Sequence, residues 1–164
     1  MSYFANGHFA KSVDAGFIKV SGVESIDFLQ SILTANVATI AIGDCRPAAL
    51  LTPQGRILID MMVYRPSDQD IYLQTDQARA GDLLARLRRY RLRRPVTLEQ
   101  SQDMHLTLWW GYDGTLKPED NRIYLDPRHA DLGCRIISTS ADLPPALNGA
   151  KSAAFENWQA RRIM

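Results

Sequence analysis

The sequence predicts an α+β fold of packed helices on antiparallel or mixed sheets. Three observations lead there: strand-like runs joined in pairs by tight-turn residues, two intervening stretches with helical apolar spacing, and no regular strand–helix–strand rhythm of the kind a parallel sheet requires. With 164 residues, 46% of them hydrophobic, the chain can bury a core as one domain or two small ones.

Taken in order, "AGFIKVSG" reads as a strand entering a turn. "SGVESIDFLQSIL" opens with Ser21 and has Glu24 three residues on, a capping-box signature. Val23, Ile26, Phe28, Leu29, Ile32 and Leu33 follow at near-helical spacing, which predicts a helix. "RPAALLT" and "GRILIDMMVYR" flank Pro53-Gln54-Gly55, the turn of a hairpin. After the short strand "QDIYLQT", Asp76 is placed to cap a second helix whose buried stripe would be Ala80, Leu83, Leu84, Leu87 and Tyr90. "RRPVTLEQ", "MHLTLWWG" and "NRIYLDPR" read as strands, with Asp113-Gly114 and Asp126-Pro127 as breakers. Residues 151 to 164 read as a closing helix with Ala154, Phe155, Trp158 and Ile163 available to bury.

Charge excludes several function classes. Nineteen Lys and Arg against eighteen Asp and Glu leave a net +1, so no global field draws the chain to nucleic acid or membrane. No apolar run approaches the roughly 18 residues of a membrane span, and "MSYFANGHFAKSVD" lacks the apolar core of a signal peptide. The two cysteines, Cys45 and Cys134, have no metal-ligand spacing and read as buried or idle thiols in a soluble protein of a reducing compartment, the cytoplasm. His8, His105 and His129 share no helix-face spacing, so no metal is expected. Neither a P-loop, a Gly-x-Gly-x-x-Gly fingerprint nor a nucleophile elbow occurs.

Two features carry candidate chemistry. In "LLTPQGRILIDMMVYRP" strand alternation puts Ile57, Ile59, Met61 and Val63 on one face and Leu58, Asp60, Met62 and Tyr64 on the other. Both faces are mostly apolar, which predicts a strand covered on both sides with a buried carboxylate. Asp60 then either pairs with an arginine or faces a ligand. The tract "RLRRYRLRRP" packs Arg86, Arg88, Arg89, Arg91, Arg93 and Arg94 into nine residues. Such arginines complement a helix C-terminus and solvate its outer face, or they bind phosphate or polyglutamate, or they contact RNA. Tyr90 is the only aromatic among them, and together with the near-neutral chain this argues against direct RNA binding.

The succession "FLQSILTANVATIAIGD", "AALLTPQGRILIDMMVYR", "YLQTDQARAGDLLARLRRYRLRRPVTLEQ" and "DPRHADLGCRII" resembles the N-terminal half of the YgfZ-type folate-binding proteins. These share a superfamily with the aminomethyltransferase, or T-protein, of the glycine cleavage system. The resemblance spans roughly residues 13 to 164 and rests on Phe-Leu-Gln…Thr, Leu-Thr-x-x-Gly-Arg, Asp before Val-Tyr-Arg, Leu-Arg before a valine strand, and Asp-Pro-Arg…Gly-x-Arg. It implies intertwined α+β subdomains around a site for tetrahydrofolate or a one-carbon derivative. It further implies service as an accessory factor to iron–sulfur client proteins or assembly factors, linked to tRNA modification. T-protein-like aminomethyl transfer and a scaffold without folate binding are the alternatives.

On this resemblance Asp60 matches the second acid of the T-protein Asp-Asp pair that includes its catalytic carboxylate, with Ile59 at the first. Gln30, Thr34 and Asn36 match a folate-contacting loop, although "TANV" replaces its usual Thr-Asn-Asp-Val. Arg56 and Tyr64 bracket Asp60 and either contact folate or cover the strand. Arg162 matches the arginine of a Leu-Arg-(Ile/Leu)-Glu segment, while Met164 stands where T-proteins place a pterin-contacting acid; Ile59, Asn36 and Met164 thus count against full T-protein chemistry. In YgfZ-like proteins a Lys-Gly-Cys-Tyr motif and a C-terminal β-barrel follow, and neither is in this sequence. The expectation is therefore a truncated chain, residues 1 to 164, carrying the folate-binding first half of the fold and binding folate weakly or not at all by itself.

Overall fold

The computed structural model describes residues 7–111, 122–140, 142–143, 147 and 149–163. The Asp113-Gly114 breaker and Met164 lie outside them. The chain divides into a continuous unit, Asp14–Gln102, and a split unit made of Met1–Val13 and Asp103–Met164. It opens in the split unit with β1 (His8–Ser12). The continuous unit follows with β2 (Ala15–Ser21), α1 (Ser25–Gln30), a 3-10 turn at Val37–Thr39, β3 (Cys45–Leu51), β4 (Ile57–Tyr64), β5 (Asp70–Asp76), α2 (Gln77–Arg91) and β6 (Thr97–Ser101). The chain then returns to the split unit with β7 (His105–Trp110), β8 (Ile123–Leu125), a 3-10 turn at Ala130–Leu132, β9 (Cys134–Ser138), β10 (Lys151–Ser152) and α3 (Phe155–Ile163). The α+β class and the interleaved path agree with the sequence.

In the continuous unit the sheet order is β3-β4-β5-β2-β6, antiparallel throughout. Its β3–β4 hairpin turns as its residues demand. The Thr52 N–H donates to the Arg56 carbonyl at 2.8 Å, and Gly55 takes φ +81, a conformation glycine adopts without steric cost. Ile59, Met61 and Val63 meet the α2 stripe of Ala80, Leu83, Leu84 and Leu87 in one core. Each buried leucine contributes roughly 2 kcal/mol. Tyr90, expected in that stripe, is 42% exposed.

The capping box does not form. Ser21 is held in β2, where it pairs with Asp70 and Thr97, so α1 starts only at Ser25, with Glu24 at the N-cap and no side-chain cap bond. Val23 falls in the connecting turn and is 93% exposed rather than buried. Asp76 does sit at the N-cap of α2, again without a side-chain cap bond.

The split unit carries the sheet β10-β1-β7-β9-β8, in which only the β1–β10 pair is parallel. Trp109, Ile123, Cys134, Ile136 and Leu147 form its core cluster. Of the four apolar residues offered by the closing segment, only Trp158 is fully buried. Phe155 is half-buried, and Ala154 and Ile163 are exposed. Cys45 and Cys134 are buried, as expected.

Candidate functional site

Asp60 lies at the middle of β4 and is exposed, which corrects the expectation of a buried carboxylate. Residues directly opposite one another in an antiparallel pair share a face. Leu50 and Ile59 are such a pair and point into the core; Ala49 and Asp60 are the next and point away from it. Further along the Asp60 face, Met62 and Tyr64 are buried, with Tyr64 at 0% exposure. The strand is thus covered on both sides toward its end, and the cover on the Asp60 side stops at Met62.

The backbone around Asp60 is held while its side chain is not. The Thr75 hydroxyl donates to the Asp60 carbonyl at 2.9 Å, and the Arg79 guanidinium donates to the Leu58 carbonyl at 2.7 Å. Among the described residues the Asp60 carboxylate makes no hydrogen bond or ion pair, so the arginine partner that was one reading of it is absent there.

Thr34 comes close to Asp60 by way of Ala49. The Thr34 N–H donates to the Ala49 carbonyl at 3.0 Å, and the Ala49 N–H donates to the Thr34 hydroxyl oxygen at 2.8 Å, so Thr34, Ala49 and Asp60 stand abreast. Gln30 accepts the Ala38 N–H at 3.0 Å through its side-chain carbonyl. Those two polar groups brace the loop. The Asn36 carbonyl accepts from Arg46 (3.1 Å) and from the Thr39 hydroxyl (3.1 Å), and the exposed Asn36 side-chain amide has no partner among the described residues. Arg56 is exposed at the hairpin, with its N–H bonded to the Thr52 hydroxyl and its guanidinium free among the described residues. Tyr64, fully buried, packs. Arg162 is exposed on α3, in the split unit, whereas the other six candidates lie in the continuous unit.

Asp126, a chain breaker and motif member by sequence, forms an ion cluster that local sequence does not announce. Its carboxylate, 5% exposed, accepts from Arg128 Nε at 2.8 Å and Nη2 at 2.5 Å, and from Arg135 Nη1 at 3.2 Å. Burial pushes this carboxyl upward, but the Arg128 hydrogen bonds and the charges of Arg135 and Arg128 outweigh it and hold the group below its ordinary value. Trp158 completes the cluster: the Arg128 and Arg135 guanidinium carbons lie 5.4 and 5.8 Å from its ring, and its Nε1–H donates to the Leu132 carbonyl at 3.2 Å. Gly133, φ +68, passes so close to Trp109 that a β-carbon would fall on the Trp109 carbonyl. Asp-Pro-Arg…Gly-x-Arg is therefore a structural lock. The available signal was a single arginine, Arg135, inside the otherwise uncharged run Cys134–Ser138.

The arginine tract divides. Arg86 pairs with Asp82 at 3.0 Å, which raises its pKa, and Arg91 donates to the Val96 carbonyl at 3.1 Å. Arg88, Arg89, Arg93 and Arg94 are exposed, with no side-chain partner among the described residues. No group of three or more His, Cys, Asp or Glu could hold a metal ion among the described residues.

The model of the GCVT N-terminal domain family matches residues 13–109, more than half of the chain and nearly coincident with the continuous unit. A protein of Mycosarcoma maydis named iron-sulfur cluster assembly factor IBA57 homolog, mitochondrial, is 27% identical over 94% of the chain and 42% of its own length. A protein of the same name from Pyricularia oryzae is 28% identical over 74% of the chain and 33% of its own length. The chain thus spans less than half of either relative. The crystal structure of the glycine cleavage system aminomethyltransferase T from Bartonella henselae superposes with a TM-score of 0.58 at 20% identity, over 66% of the chain and 30% of that protein. This likeness is one of fold.

Proposed function

Because the chain belongs to the GCVT N-terminal domain family, we propose that it supplies the folate-holding part of an iron–sulfur cluster assembly factor. The observation that carries this reading is similarity to relatives named for that role over as much as 94% of the chain. In this reading Asp60 is the acid that meets the folate, and the free side chains of Asn36 and Arg56 are further contacts. Gln30 and Thr34 shape the loop beside it. The donor set fits a reduced folate, because an exposed, unpaired carboxylate on a braced strand can accept a pterin or amine N–H and stabilise positive charge there. Bound tetrahydrofolate would supply nitrogens able to carry a one-carbon unit. The link to tRNA modification would run through iron–sulfur client enzymes rather than through RNA contact.

Calorimetric titration with tetrahydrofolate tests the folate half of the reading, and a glycine-cleavage assay separates it from aminomethyl transfer. A full-length family member should bind it saturably without aminomethyl transfer, and this chain alone weakly or not at all. No binding by a full-length member whose melting curve shows it folded favours the scaffold. Restoration of iron–sulfur enzyme activity in cells depleted of their own assembly factor tests the other half, and failure of a full-length family member in that assay would overturn it.

A further inference from the structure

The chain leaves α2 through an unusual turn. The Arg94 N–H donates to the Arg91 carbonyl at 3.1 Å, closing a four-residue turn whose first central residue, Leu92, has φ 53 and ψ −114. These are the dihedrals of a type II′ turn at the position that ordinarily takes glycine. Leu92 is the one non-glycine residue with positive φ among the described residues, and it is 82% exposed. A strained backbone opposes folding, and a leucine left in water contributes no burial to offset it. Strain of this kind gathers at functional sites.

The surroundings of Leu92 give it a chemistry. Arg91 ties the turn back to Val96, so the turn is held in one shape. Arg88, Arg89, Arg93 and Arg94, exposed and unpaired among the described residues, flank it, and Tyr90 is half-exposed. On the adjoining side, the Gly22–Val23 turn lies against the Pro95 carbonyl and exposes Val23. The charge is concentrated here: outside the six arginines of the tract, thirteen Lys and Arg are outnumbered by eighteen Asp and Glu. An aliphatic centre with a guanidinium rim complements an acidic polypeptide carrying apolar side chains. Nucleic acid fits less well, because stacking platforms are aromatic and this surface offers Tyr90 alone.

We propose that the Arg91–Arg94 turn, with Arg88 and Arg89, is a docking surface for an acidic segment of a partner protein, whose apolar side chain covers Leu92 while its carboxylates meet the four arginines. The probe is a labelled peptide of glutamates punctuated by leucines, followed by fluorescence anisotropy with the whole chain. Replacing Arg88, Arg89, Arg93 and Arg94 together with glutamine should weaken binding by about thirtyfold, as four exposed ion pairs predict. Leu92→Gly should weaken it by about tenfold while raising the melting temperature, since glycine relieves the turn. A purely structural turn predicts the second change without the first. Wild-type affinity in Leu92→Gly, or equal affinity for a peptide of glutamate alone, would overturn the proposal. So would tighter binding of a labelled oligouridylate, which would reassign the surface to nucleic acid, or self-association abolished by the glutamine variant, which would reassign it to a second copy.

Discussion

Asp60 and Asp126 are both strand-associated carboxylates in apolar sequence, and the fold treats them in opposite ways. Asp60, in the continuous unit, is exposed with its backbone braced and its carboxylate unpaired among the described residues. Asp126, in the split unit, is buried and clamped by two arginines. The contrast separates a carboxylate that holds the structure from one that the structure leaves exposed. Burial of a charge is tolerated where two guanidiniums and an indole surround it, and availability to a ligand comes where the cover ends.

The largest effect should come from removing the buried acid. Asp126→Asn removes a buried counter-charge from Arg128 and from Arg135, which is 3% exposed, and should cost about 3–5 kcal/mol in chemical denaturation. Loss of less than about 1 kcal/mol would show that the cluster is not a lock. Gly133→Ala should follow at about 2–4 kcal/mol, because it combines a positive φ with a β-carbon driven into the Trp109 backbone.

Acid should act on Asp126. The Asp126 carboxyl is held below its ordinary value in the fold, so its stabilisation is fully present above the unfolded value and is lost as pH falls through the folded one. Melting temperature measured downward from about pH 4 should fall more steeply in the wild type than in Asp126→Asn, which no longer carries the titrating group. Parallel curves would remove Asp126 from acid sensitivity.

Much of this arrangement was legible in the sequence, and the missing part has physical reasons. The α2 stripe and the β3–β4 hairpin could be read because periodicity and turn chemistry are local. Alternation correctly placed Asp60 opposite the core residues. It could not show that cover on that face ends at Met62, because cover is supplied from outside the strand. The capping box at Ser21 was outcompeted by β2, which uses that residue in two ladders at once. Asp126 read as a turn residue because Asp-Pro is a turn signal. Its burial depends on Arg135, brought beside it by the β8–β9 pairing, and on Trp158 from α3.

The smallest stability effect should be that of Asp60→Asn, and it bears most directly on function. The substitution removes a charge from an exposed side chain with no partner among the described residues, and it leaves untouched the Asp60 carbonyl that accepts from Thr75. Stability should therefore change by less than about 0.5 kcal/mol. If Asp60 meets the folate, the same substitution replaces a charge-assisted acceptor with a neutral amide, and tetrahydrofolate affinity should fall by roughly tenfold, the value of one such hydrogen bond. Thr75→Val supplies the control, since it releases the Asp60 carbonyl and leaves the carboxylate in place. It should cost about 1 kcal/mol of stability and shift affinity only through looser positioning of the acid. Titration and melts of the two variants side by side test the division between the aspartates: a destabilised Asp60→Asn with unchanged folate affinity would make Asp60 a second structural acid and end its reading as the functional one.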